Sequence, residues 1–295
     1  MAANALDCIM LLGDSLTQGG WEPGGFAQRL SYVYARKLDV INRGLSGYNT
    51  EWAIPVFEEC FAKSEVQSLL PKVKLLVIWF GANDACLEQS PQHVPLPKFI
   101  ENINKLVDIP TSPSSPRYSP TTRVVLVTAP PINATQRGKE LGSRNPPIAP
   151  DRTHETTKAY AEAVVDIGPI NATQRGKELG SRNPPIAPDR THETTKAYAE
   201  AVVDIGNKRN VPVVDLWAAL WKEAGEAEKG LEALLPDGLH CNERSYAVLY
   251  DLLLETISRH YPELHFDKLP KVYPAWDEID WKNPGPSLKS RRIDV

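Results

Sequence analysis

The opening stretch MAANALDCIMLLGDS lacks the features that export or anchor a chain. It carries no basic residue, and its apolar run Cys8 to Leu12 is too short for a signal-peptide core or a membrane span. The default address is the cytoplasm, with no stable membrane insertion. Cysteine is scarce: Cys8, Cys60, Cys86 and Cys241 stand far apart with no C-x-x-C pair, which argues against a zinc site and a disulfide framework and for four reduced, mostly buried thiols. Basic residues are not in excess, and a formal net charge of -4 gives no general attraction to nucleic acid or anionic membrane. No G-x-x-x-x-G-K-[ST] or G-x-G-x-x-G motif suggests a nucleotide, and without a G-x-S-x-G elbow the common α/β-hydrolase fold is unsupported. No cofactor and no metal is expected. With 42% hydrophobic and 24% charged residues, the chain can bury a sizeable core.

The sequence repeats itself once. The 38 residues 131–168 recur without a change as 169–206. Solenoids stack many diverged units, whereas this is a single undiverged tandem copy, so it reads as a recent or artificial duplication and not as a repeat architecture. Each copy reads as a polar, Pro-rich loop followed by a helix, with Asp151 or Asp189 as N-cap and Tyr160, Ala161, Val164 and Val165 of the first copy on its apolar face. Gly168 followed by Pro169 is a helix stop. The surplus copy is expected to form a local loop-and-helix excursion, and identical copies carry no local information about which one belongs in the fold.

Short apolar runs alternate with helical patterns along the rest of the chain. Cys8 to Leu12, Val40 to Ile41, Leu75 to Phe80, Val124 to Val127 and Val211 to Leu216 read as strands. Helices are expected at Phe26 to Lys37, Trp52 to Ala62, Leu96 to Val107, in the duplicated segment, and at Asn242 to Tyr261. This alternation implies a parallel sheet covered on both faces, a flavodoxin-like, five-stranded α/β/α three-layer sandwich with ligands at the carboxyl ends of its strands. Residues 1–262 form one domain on this reading. The Pro-rich tail 263–295, with Tyr273, Trp276 and Trp281, is expected to strap across the surface or across a partner subunit in a homodimer.

Three Asp-x-x-His pairs compete for one task, the aiming of a general base: Asp151 with His154, Asp189 with His192, and Asp237 with His240. LLGDSLTQGGW places Ser15 at the carboxyl end of the first strand, where a nucleophile belongs. NRGLSGYNT supplies Gly44 and Gly47 after the second strand, where a backbone N–H can approach a substrate oxygen with no Cβ in the way. WFGANDACL supplies the Asn83 amide after the third. Each feature alone is ordinary turn chemistry, but nucleophile, glycine and amide donor at the ends of successive parallel strands form a constellation that turn chemistry does not predict. PDGLH, Pro236 to His240, precedes the last amphipathic helix and can return to the same sheet edge. Both PDRTH copies run straight into a helix that explains them, as cap and first-turn residue. Asp237 and His240 are therefore the expected pair, with His154 and His192 as decoys and with His93, His260 and His265 as surface or satisfied histidines.

GDSLTQGG, NRGLSGYNT, GANDACLEQSPQHVPLPKFIENI and DGLH, in that order, resemble the GDSL or SGNH-hydrolase superfamily, and in particular its isoamyl-acetate-hydrolysing esterase group. The likeness runs from about Cys8 to Tyr261, and PAWDEID resembles that group's tail. The resemblance implies Ser15 as nucleophile, His240 as base oriented by Asp237, and an oxyanion hole made by the Ser15 backbone N–H, Gly47 and Asn83. Gly47 is preferred to Gly44 because the family's glycine follows the serine of the N-x-x-x-S-G pattern. The implied activity is serine-esterase hydrolysis of small, short-chain acetate esters through an acyl-enzyme. Lysophospholipase, thioesterase and carbohydrate deacetylase activities are the enzymatic alternatives, and a binding-only or poorly folded product of the duplication is the alternative of another class.

Overall fold

The computed structural model describes residues 6–143 and 189–290. Its five strands are β1 (Cys8–Gly13), β2 (Asp39–Gly44), β3 (Val73–Trp79), β4 (Arg123–Val127) and β5 (Val213–Val214). They form one parallel sheet in the order β2-β1-β3-β4-β5. Because side chains alternate across a strand, the apolar runs feed two cores at once. Ile9, Leu11, Leu75, Val77, Trp79, Val125 and Val127 face one side, while Met10, Leu12, Leu76, Ile78, Val124 and Leu126 face the other.

The helices, numbered here in chain order among the described residues, close both faces. The first face is covered by α2 (Phe26–Val33), α7 (Leu216–Glu223) and α8 (Glu243–His260); the second by α3 (Thr50–Cys60), α4 (Leu96–Thr111) and α6 (His192–Arg209). The short α1 (Ser15–Gln18) follows β1 directly, and α5 (Ala134–Ser143) follows β4. Among the described residues, no helix is long and apolar enough to cross a membrane.

Several boundaries differ from the sequence reading. The second strand runs to Gly44 although Asn42 and Arg43 are polar, because an edge strand need bury little. The fifth is only Val213–Val214, since Leu216 already opens a helix capped by Asp215. The beginning of the tail packs against the domain: Leu264 is buried, Tyr34 donates to its carbonyl, and Arg36 donates to the carbonyls of Tyr273 and Pro274.

The duplicated segment is seated as a composite. Residues 131–143 come from the head of the first copy and 189–206 from the end of the second. Covalent continuity selects them. The head is attached to β4, and the end continues through Asn207 to Arg209 of α6 and on to β5. Gly206 packs tightly on the chain that follows, because a Cβ there would lie 2.1 Å from Val213 Cγ2 and 2.8 Å from the Val211 carbonyl, both beyond the repeat. The head is helical, not the expected loop. The N-cap of α6 is Thr191, in a capping box with Thr194, and not Asp189. Asp151, His154, Tyr160, Ala161, Val164, Val165, Gly168 and Pro169 lie outside the described residues.

Candidate active site

Ser15 opens α1 at the end of β1. Only glycine fits two residues before it: a Cβ on Gly13 would stand 2.0 Å from Thr17 Oγ1 and 2.5 Å from the Trp79 carbonyl. Asp14 caps α1, its buried carboxylate accepting from Leu16 N–H at 2.9 Å. Burial pushes the Asp14 carboxyl up to about 7, against the Leu16 hydrogen bond, with Asp84 adding to the rise.

The structure brings His240 to Ser15. Ser15 Oγ and His240 Nε2 are 3.0 Å apart, and His240 Nδ1 lies 2.7 Å from Asp237 Oδ2. Asp237 is fixed by its own turn, since Oδ1 accepts from Leu239 N–H at 3.0 Å and His240 N–H at 2.7 Å. Burial alone would raise its carboxyl, but the hydrogen bonds from the His240 side chain and backbone and from Leu239 outweigh it. They hold Asp237 well below the usual carboxylate range. This is the order of nucleophile, base and orienting carboxylate that activates a hydroxyl for attack on a carbonyl.

The turn carrying the base rests on α5. Gly238 adopts φ +83°, and a Cβ there would come within 2.5 Å of both Arg137 N and the Asn133 carbonyl. Asn133 N–H donates to the Gly238 carbonyl, Gln136 donates to the Pro236 carbonyl, and Arg137 Nη1 donates to Asp237 Oδ2 at 3.0 Å.

Two further loops meet at the same sheet edge, because Gly13 pairs in register with Gly44 on one side and Trp79 on the other. Gly47, at φ +81°, sits in the loop after β2, and its carbonyl accepts from Gln92 Nε2 at 2.7 Å. Asn83 Nδ2 donates to the adjacent Tyr48 carbonyl at 2.8 Å, so Gly47 and Asn83 are tied together. Thr50 reinforces the link by donating its N–H and hydroxyl to Asp84 Oδ1. Gly44 serves packing: a Cβ there would lie 2.0 Å from Gln18 N. A cleft of about 550 Å³ opens over Ser15 and His240, lined also by Gln18, Trp21, Ser46 and Tyr246.

Asp189 and His192 do not form a second site. Asp189 pairs with Arg190 and Arg137, while the His192 ring packs on Trp217 and Trp221. His93 meets the Cys86 carbonyl at 2.6 Å. Cys8, Cys86 and Cys241 are buried and their thiols raised by burial, while Cys60 is half-buried. Sequence reasoning missed Arg137 and Arg190. Their type and spacing give no sign of a site, and each has an identical counterpart in the other copy, Arg175 and Arg152, outside the described residues.

The chain is similar to known proteins along most of its length. Residues 11–248 match the model of the GDSL-like lipase/acylhydrolase family. A GDSL esterase/lipase of Arabidopsis thaliana is 31% identical over 96% of this chain and 98% of its own length. The isoamyl acetate-hydrolyzing esterase of Saccharomyces cerevisiae is 26% identical over 92% of this chain and 94% of its own. Among solved structures, a lipase/acylhydrolase from Enterococcus faecalis superposes with TM-score 0.52 at 20% identity, covering 90% of this chain and 98% of that one. At that identity the likeness speaks for the fold alone.

Proposed function

We propose, from the premise that this chain belongs to the GDSL-like lipase/acylhydrolase family and is a carboxylic ester hydrolase, that it cleaves small, short-chain acetate esters through an acyl-enzyme on Ser15. The observation that carries the reading is the unbroken run of contacts from Ser15 Oγ through His240 to Asp237, opening on the cleft. His240 Nε2 takes the Ser15 proton as Oγ attacks the ester carbonyl carbon. The carbonyl oxygen gathers the charge, and the donors assigned to hold it are the Ser15 N–H, the Gly47 N–H and Asn83 Nδ2. When the tetrahedral intermediate collapses, the alkoxy C–O bond breaks and the alcohol leaves with the proton from His240. Water then attacks the acyl-serine by the same route and releases the acid. Asp237 holds the imidazole tautomer and offsets the charge it carries between the two transfers.

The acyl preference is supported by the isoamyl acetate-hydrolyzing esterases among the relatives. A disabled product of the duplication is disfavoured by the composite seating, which leaves Ser15, His240 and Asp237 within hydrogen-bond reach. Hydrolysis of isoamyl acetate by the full chain, run beside Ser15→Ala and an acyl-length series, tests the proposal. Activity should fall by several orders of magnitude in the variant. Retained activity in Ser15→Ala would remove the nucleophile, and rates that climb toward long acyl chains would favour a lysophospholipase or thioesterase.

A further inference from the structure

Arg190 is buried, with its side chain only 2% exposed, and a guanidinium taken from water must satisfy its donors. It does so on the loop that carries Asn83. Nε donates to the Ala82 carbonyl, Nη2 to Asn83 Oδ1 at 3.0 Å, and Nη1 to Asp189 Oδ2. The opposite oxygen of Asp189 faces Arg137 Nε at 3.7 Å, an ion pair longer than a hydrogen bond. Arg137 in turn donates to Asp237 Oδ2, the same oxygen that meets His240 Nδ1.

We propose that Arg190, Asp189 and Arg137 form a positioning relay that ties the oxyanion donor Asn83 to the carboxylate Asp237. The proposal rests on the roles given above to those two residues. The relay acts first by fixing which end of the Asn83 amide faces the reaction. With Oδ1 held by Arg190, Nδ2 is the end that reaches the site; Tyr48 takes one of its two hydrogens, and the second is the donor the oxyanion uses. Turned by 180°, the amide would present an oxygen to the developing negative charge. At the other end, Arg137 stops rotation of the Asp237 carboxylate and hence of the imidazole it orients. Asp189 faces both guanidiniums, so the two ends share one support built from both copies of the repeated segment.

The test measures kcat and KM of the full chain on p-nitrophenyl acetate, with urea unfolding as the control for folding. Arg190→Gln should lower kcat about 10- to 100-fold with KM within about threefold, and should lower it less than about threefold further in an Asn83→Ala background. Asp189→Asn should lower kcat about tenfold with the same split. A role in folding alone would instead give additive losses in both backgrounds that follow the folded fraction. The relay is overturned by such additivity, or by wild-type kcat in Arg190→Gln when Asn83→Ala is impaired. If Asn83→Ala itself is fully active, the reading of Asn83 falls and the relay with it, while an active Ser15→Ala would mark failure of the ester-hydrolase site as a whole. Should Arg190→Gln not fold, the isosteric Asp189→Asn, measured alone and with Asn83→Ala, decides between the same outcomes.

Discussion

Adding one methyl group at Gly238 should damage both the stability and the chemistry of this protein. At φ +83°, an L side chain costs about 1–2 kcal/mol in backbone conformation alone. The new Cβ would also lie 2.5 Å from Arg137 N and from the Asn133 carbonyl. Both are backbone atoms of the α5 entrance, so no side chain can swing aside, and overpacking of this kind typically costs about 1–3 kcal/mol more. Relief requires the turn to move off α5, which strains the bond from Asn133 N–H to the Gly238 carbonyl. His240 is two residues away and must keep Nε2 3.0 Å from Ser15 Oγ. A shift on the order of 1 Å costs about 100-fold in rate. Gly238→Ala is therefore expected to lose about 2–5 kcal/mol in urea unfolding and about 100-fold in kcat under conditions where it remains folded. Gly225→Ala is the matched control: its φ is +69°, but a Cβ there meets nothing within 4 Å, so about 1–2 kcal/mol and unchanged kcat are expected. A Gly238→Ala enzyme with wild-type kcat and no more loss of stability than Gly225→Ala would refute the reasoning.

Two other outcomes follow from the same structure. Deleting residues 169–206 leaves seven residues between the seated halves in place of 45; counting chain entropy alone, stability should rise by about 1–2 kcal/mol with kcat unchanged, and loss of activity on deletion would contradict the composite seating. Asp14 and Asp84 have folded pKa values raised to about 7 and about 6 by burial. The stability linked to such groups is whole below the unfolded carboxyl value and is lost as pH rises through the folded value. Asp14→Asn, which keeps an oxygen for Leu16 N–H, should thus gain on the wild type between pH 4 and 8 by at most about 4 kcal/mol, and parallel pH–stability curves for the two proteins would exclude this origin.

What could be read directly from the sequence were features whose physics is local. β1, β3 and β4 are apolar runs buried on both faces, and the extent of α8, expected from Asn242 to Tyr261, follows from its amphipathic pattern to within a residue at each end. Asp237 and His240 sit three residues apart, so their partnership was legible before Ser15 was brought against them. The helix α5 was not, because Gly138 and Gly142 weaken its intrinsic propensity and its contacts with the Pro236–Gly238 turn come from about a hundred residues away. Arg137 and Arg190 were hidden for the same reason. Each is one of two indistinguishable copies in the sequence, and only the attachment of the flanks decides which is seated.

The composite seating has a consequence for how a repeat of this kind can change its copy number. Any 38-residue excision that begins between positions 131 and 169 yields one and the same shortened protein, so recombination needs no particular register to undo the duplication. Further copies gained by the same route would enter between the same two anchored halves, with the residues that touch Asp237 and Asn83 still drawn from the outermost units. Copy number in this segment can then change in either direction without altering which residue types stand beside Asp237 and Asn83.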